Sequence, residues 1–147
     1  MLSFASQIGV TVVSVVLLFS GIVHAAQPYY FVHAISGYQL LPAQVAGLLG
    51  LWLPYLQIVL ALCIGLGIAE RVALATAALM FVAFALAQLS VLLRGMEIDC
   101  GCFGFVSVQV SPASVGLSLS LAAACAVLFV YGVSRTSNDP ALQRAVD

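Results

Sequence analysis

The sequence predicts an all-α fold: a polytopic membrane four-helix bundle with a short interfacial helix between spans 1 and 2. Three observations predict it. Charge is scarce, with four Arg, no Lys and five Asp or Glu in 147 residues. That makes 6% charged residues, against about 25% in soluble globular domains. Apolar types make up 64% of the chain, where about 45–50% is usual. Finally, the charges fall in three clusters: Glu70-Arg71; Arg94, Glu97 and Asp99; and Arg135, Asp139, Arg144 and Asp147. They separate the uncharged stretches 1–69, 72–93 and 100–134. Each stretch holds one or two helices of the roughly 20 apolar residues that a bilayer requires.

The same pattern excludes several classes. Disorder needs low hydrophobicity and high charge. Nucleic-acid binding needs a basic stripe, and four scattered Arg do not make one. An outer-membrane barrel shows segments of about 10 alternating residues, not continuous apolar runs. A soluble enzyme would need a polar surface, for which the chain lacks the residues.

Span 1 covers residues 5–26. Its leading segment Met1–Ile8 has no positive charge, which argues against a cleaved signal peptide. The first outer loop, 27–42, is apolar and aromatic, with Tyr29, Tyr30, Phe31 and Tyr38. Aromatic rings settle at headgroup depth. Phe31, Ile35 and Tyr38 recur at helical spacing, so this loop is read as a short anchoring helix on the membrane surface or dipping into it. Span 2 covers 43–69. Pro54 should free a backbone carbonyl inside it, and Gln57, one turn on, is the candidate to satisfy that carbonyl. Gly47, Gly50, Gly65 and Gly67 are read as helix-packing positions, as are Ser118 and Ser120 later on. Span 3, residues 72–93, sits between Arg71 and Arg94, and its 22 residues extend about 33 Å. Span 4, residues 113–134, opens on Ser111-Pro112, an N-cap followed by proline at the first helical position. Residues 1–135 form one domain, and 136–147 a short polar tail.

Four spans put both termini on one side. Arg71, Arg135 and Arg144 lie on that side and Arg94 on the other. The excess predicts cytoplasmic termini in an inner membrane. Loops 27–42 and 95–112 then face the periplasm.

The second of these loops holds the most informative stretch, Asp99-Cys100-Gly101-Cys102-Phe103-Gly104. Cysteines two apart in a bent chain reach the Cα spacing a disulfide needs, about 4.4–6.8 Å. Gly101 permits the necessary backbone angles. So short a ring stabilises little by loop closure, whereas strained exposed disulfides are the labile, exchanging ones. The oxidising compartment suits them. Asp99 disfavours the Cys100 thiolate, and Arg94 can offset it. A second reading is a soft-metal site, with the two thiolates joined by Met96, His24 or His33 around Cu(I). Zinc-type ligand spacing is absent. Cys63 and Cys125 fall at matching depths in spans 2 and 4. They are either a second thiol pair for a transmembrane relay or small buried hydrophobes. His24 ends span 1 on the side of Cys100, placed to act as a base, to contact a quinone, or to reach interfacial water.

The cysteine motif just after a third span resembles the signature of the MauE family, the methylamine-utilisation membrane protein and its relatives in the DoxX-like group. Ser20-Gly21, Pro28, Phe31, Ile35, Tyr38 and Leu40-Leu41-Pro42 resemble that family's first outer segment, and Leu53-Pro54 its second span. The likeness covers about residues 5–135. The pattern departs at three sites: His24 stands where Lys is frequent, Gln27 where Asp is, and Gln57 where Glu is. The resemblance implies a four-helix inner-membrane protein supporting maturation of an exported, disulfide-rich protein (methylamine dehydrogenase in the namesake) with a membrane-anchored thioredoxin-like partner.

The sequence thus points first to a membrane thiol–disulfide oxidoreductase. Cys100 and Cys102 carry the exchange, Asp99, Gly101, Gly104 and His24 support it, and a quinone or the Cys63–Cys125 pair lies beyond. The alternatives are a non-catalytic subunit that docks a larger redox complex, and a copper-binding membrane protein. Membrane lipid is the expected environment, with no nucleic-acid partner.

Overall fold

The computed structural model describes residues 2–96, 98 and 109–138. Its elements are helices: α1 (Leu2–Ala26), α2 (Pro28–Gly37), α3 (Ala43–Leu66), α4 (Glu70–Leu93) and α5 (Pro112–Asn138). Four of them carry apolar stretches of 20 to 24 residues, long enough to cross a bilayer. The chain is a multi-pass membrane protein in contact with lipid, and α2 is the short helix expected between spans 1 and 2.

Sequence periodicity explains which face of each helix turns inward. On α1, Val13, Leu17, Gly21 and His24 are buried, whereas Val12, Val15, Phe19 and Ile22 are exposed to lipid. These sets recur at steps of three and four residues, as one stripe of a 3.6-residue helix requires. On α5 the inward stripe is Val115, Ser118, Ala122, Cys125 and Leu128. Small residues let backbones approach. A Cβ on Gly21 would sit 3.0 Å from the Pro54 carbonyl oxygen and 3.1 Å from Gln57 Cβ, so α1 crosses α3 at Gly21. A Cβ on Gly50 would collide with the Val32 side chain and lie 3.1 Å from Val32 Cα, which seats α2 on α3.

The bundle is two close pairs. α1 lies along α3, and α4 along α5, while the α3–α4 and α1–α5 seams are looser. α3 and α5 are diagonal, with no Cα atoms within 8 Å of each other.

Element ends follow local chemistry. α3 stops at Leu66, three residues before the expected end, because Gly67 adopts φ 70° and caps the helix. Its N–H bonds Ile64 O at 3.4 Å and that of Ile68 bonds Cys63 O at 2.9 Å, the pattern of a left-handed glycine stop. Gly67 is therefore a cap and not a packing position. Gly47 has no neighbour within 4 Å of a built Cβ, and Ser120 is exposed and donates to Leu117 O. Neither packs a helix interface. α4 begins at Glu70 and so includes the Glu70-Arg71 pair. At the start of α5, Ser111 and Ser114 cap each other. The Ser111 N–H donates to Ser114 Oγ at 3.0 Å and the Ser114 N–H to Ser111 Oγ at 3.4 Å. α5 continues to Asn138, into the segment read as tail.

Candidate functional site

His24 occupies the last turn of α1. It is 2% exposed, which overturns the reading of an interfacial histidine reaching water. The chain turns at Gln27, and Pro28 starts α2 with its fixed φ already helical. Phe31 thereby folds back over His24, with ring centroids 4.0 Å apart and planes 13° from parallel. His24 Nδ1 lies 3.1 Å from Gln57 Oε1 on α3, with Ser20 Oγ at 3.5 Å one turn below. An amide oxygen only accepts, so this geometry puts the proton on Nδ1. Gln57 is thus joined to His24 through Oε1, where the sequence assigned it to the carbonyl freed by Pro54.

The other helix pair repeats the arrangement. Ser118 Oγ on α5 donates to Gln88 Oε1 on α4 at 3.3 Å, and both side chains are buried. The two polar pairs line one cavity of about 380 Å³. Phe81 and Phe84 of α4 and Leu117 and Leu121 of α5 supply apolar wall. Phe31 and Ile35 of α2 and Tyr38, the residue that caps it, close the end. The short helix is thus a cap that inserts Phe31 and Tyr38, both at most 9% exposed, while Tyr29 and Tyr30 stay outside. Burial pushes the Tyr38 phenol up to about 12, so its hydroxyl stays protonated at neutral pH.

Arg94 fastens the cap. Its Nη2 donates to the Tyr38 carbonyl and its Nε to Ser90 O at 3.1 Å, which ties the end of α2 to the end of α4. Ile98 Cδ1 lies 3.9 Å from where a Gly37 Cβ would be, and the Val110 N–H donates to Ile98 O at 3.0 Å. Both feet of the cysteine loop therefore meet beside the cap. Asp99, Cys100, Gly101, Cys102 and Gly104 themselves lie outside the described residues.

Cys63 and Cys125 are free thiols, half-buried and buried. They sit on the diagonal helices α3 and α5, so their Cα atoms are more than 8 Å apart, beyond the reach of a disulfide. The arrangement does not bring them together. His33 is exposed while His24 is buried, and among the described residues no three His, Cys, Asp or Glu side chains gather.

Sequence reasoning gives Gln57 to the carbonyl freed by Pro54, Ser118 to helix packing, and Gln88 no role beyond a mild polar residue in a span. Their pairing was missed. The available signal was register: each falls on the same stripe as its helix's buried apolar residues. The His24–Gln57 bond makes a prediction. Gln57→Leu leaves a buried imidazole N–H without its amide acceptor and costs about 1 kcal/mol. The double variant His24→Phe/Gln57→Leu recovers most of that loss, because both polar partners leave together. Unfolding in bicelles measures both, and strictly additive effects would show that the 3.1 Å contact contributes nothing.

A family model described as methylamine utilisation protein MauE matches residues 2–134. No curated protein and no solved structure matches the chain.

Proposed function

The chain belongs to the MauE family, and from that membership we propose that it is a membrane thiol–disulfide redox protein acting through Cys100 and Cys102. Its partner is a periplasmic thioredoxin-like protein, and its product is disulfide formation in an exported protein. The observation that carries the reading is the Asp99-Cys100-Gly101-Cys102 motif in the loop joining α4 to α5. A thiolate of one molecule attacks a sulfur of the other's disulfide. A mixed disulfide forms, and the second thiol resolves it. Electrons and protons balance within the exchange: one dithiol is oxidised as one disulfide is reduced.

The arginine distribution supports an inner-membrane protein with both termini in the cytoplasm and the cysteine loop in the periplasm. The family's namesake supports methylamine dehydrogenase maturation as one setting for this chemistry.

The test is a trap. In Cys100→Ser and Cys102→Ser chains, one remaining thiol should hold the partner as a mixed disulfide on non-reducing gels, released by dithiothreitol. If neither variant traps a partner, and the double variant retains function in cells, the thiol reading fails.

A further inference from the structure

We propose that the cavity between the two helix pairs binds a quinone, with its ring among His24, Gln57, Gln88 and Ser118. The entrance comes first. Val12, Val15 and Phe19 of α1 and Leu117 of α5 line the cavity and are also 50–58% exposed on the lipid-facing surface. The cavity therefore opens sideways, through the loose α1–α5 seam, into hydrocarbon. That seam is shut elsewhere, where Gly9 lies against Leu128. A ligand reaching this site arrives from the bilayer and is itself lipophilic.

The wall sets the headgroup. Buried polar groups in a membrane are costly and mark functional positions, and four of them line this cavity with Ser20 and Tyr38 in a wall that is otherwise apolar. An acyl chain gains nothing from them. No Arg, Asp or Glu lines the cavity, so an anionic or zwitterionic headgroup finds no permanent counter-charge, and His24 Nδ1 is already engaged by Gln57. A neutral group with hydrogen-bonding atoms fits. With Gln57 Oε1 committed to His24, the amide's remaining capacity is its N–H donors, which suit a carbonyl oxygen. The faces are aromatic: Phe31 stacks on His24, and Phe81 and Phe84 stand on α4. A planar ring packs against such surfaces. The volume, about 380 Å³, lies within the range of small-molecule sites, about 300–1,000 Å³. It holds a substituted ring and the start of a prenyl tail, which leaves through the seam. Planar, neutral, lipophilic and carbonyl-bearing together describe a quinone.

The binding stands on these residues alone; its use as an electron acceptor rests on the thiol reading above. In that use the Cys100 and Cys102 thiols lose two electrons and two protons as an S–S bond forms. The two quinone carbonyls gain them as O–H bonds, giving the quinol.

The experiment uses the full chain in nanodiscs with decylubiquinone, the bound fraction being read by extraction and ultraviolet absorbance. One equivalent binds at saturation. The Gln88→Leu/Ser118→Ala variant, whose paired polar groups leave together, binds at least tenfold more weakly at unchanged helix content. Dodecane in excess does not displace the quinone from the unmodified chain. Absence of saturable binding overturns the proposal, as does displacement by dodecane, which marks an acyl-chain site. Should the variant misfold, the competition on the unmodified chain still decides. The Cys100→Ser/Cys102→Ser chain keeps binding, so a failed mixed-disulfide trap together with function retained in that double variant, at intact quinone binding, sinks the thiol reading alone, and the reverse result sinks the quinone alone.

Discussion

Phe31→Ala lowers the stability of the folded protein by about 3 kcal/mol, the scale of a buried phenylalanine truncated to alanine. Phe31 is 5% exposed and stacked on His24. Truncation opens a void beside that imidazole and removes the side chain that holds α2 over the cavity. The surrounding walls belong to transmembrane helices, which close little around such a gap. Tyr29, two residues earlier, is 89% exposed, and Tyr29→Ala shifts stability by no more than about 0.5 kcal/mol. Reversible unfolding of both variants in bicelles gives the comparison. Equal effects would mean that α2 rests on the membrane surface and does not insert into the bundle. Hydrogen exchange adds a second readout, because amides of 28–37 should lose protection in Phe31→Ala before those of α1 or α3.

Gly50→Leu should be nearly as costly, about 1–3 kcal/mol, from overpacking. The obstacle is partly backbone: Val32 Cα is 3.1 Å from a Cβ at this position, and a backbone atom on a packed helix cannot swing away as a side-chain tip can. The expected outcome is displacement of α2 from α3, with entry of water-soluble probes to the cavity from the capped end. Gly47→Ala is the control on the same helix. It meets nothing within 4 Å and replaces a poor helix former by a good one, so it leaves stability unchanged or raises it by about 0.5–1 kcal/mol. Equal losses in Gly50→Leu and Gly47→Ala would show that α2 does not sit against Gly50.

These two positions show what periodicity conveys and what it leaves out. The recurrence of Phe31, Ile35 and Tyr38 identified a helix and its apolar side. It did not say whether that side met headgroups or a bundle interior, since both accept aromatic rings. Likewise, Gly47 and Gly50 are identical as letters, and only the approach of Val32 separates them. The four buried polar residues were visible as polar letters in apolar spans. Which of them touch depends on which helices are neighbours. Depth matching made Cys63 and Cys125 plausible partners, yet they stand on diagonal helices. His24 and Gln57, 33 residues apart, stand on adjacent ones.

That contact also makes sense of the departures from the family pattern. The family resemblance implies Lys at position 24 and Glu at position 57, and the His and Gln that stand there bond each other. In this chain the two positions hold a hydrogen-bonded pair, so neither departure leaves the other side chain alone. The two departures therefore fall at one contact. The third, Gln27, sits at the start of the cap, where its Oε1 is buried without a hydrogen-bond partner among the described residues.

The sequence by itself determined the membrane, the number of spans, the short helix between the first two and the family. All of these follow from local quantities: charge spacing, apolar run length, and motifs of a few adjacent residues. Tertiary structure alone decided that α1 pairs with α3 and α4 with α5, that a hydrogen-bonded polar pair bridges each, and that the short helix caps the cavity between them. The reason is physical. Lipid is as apolar as the side chains facing it, so hydrophobicity places helices in the bilayer without choosing their neighbours. That choice falls to close backbone approach at Gly21 and Gly50 and to the hydrogen bonds of His24 and Gln88, which join residues distant in the chain.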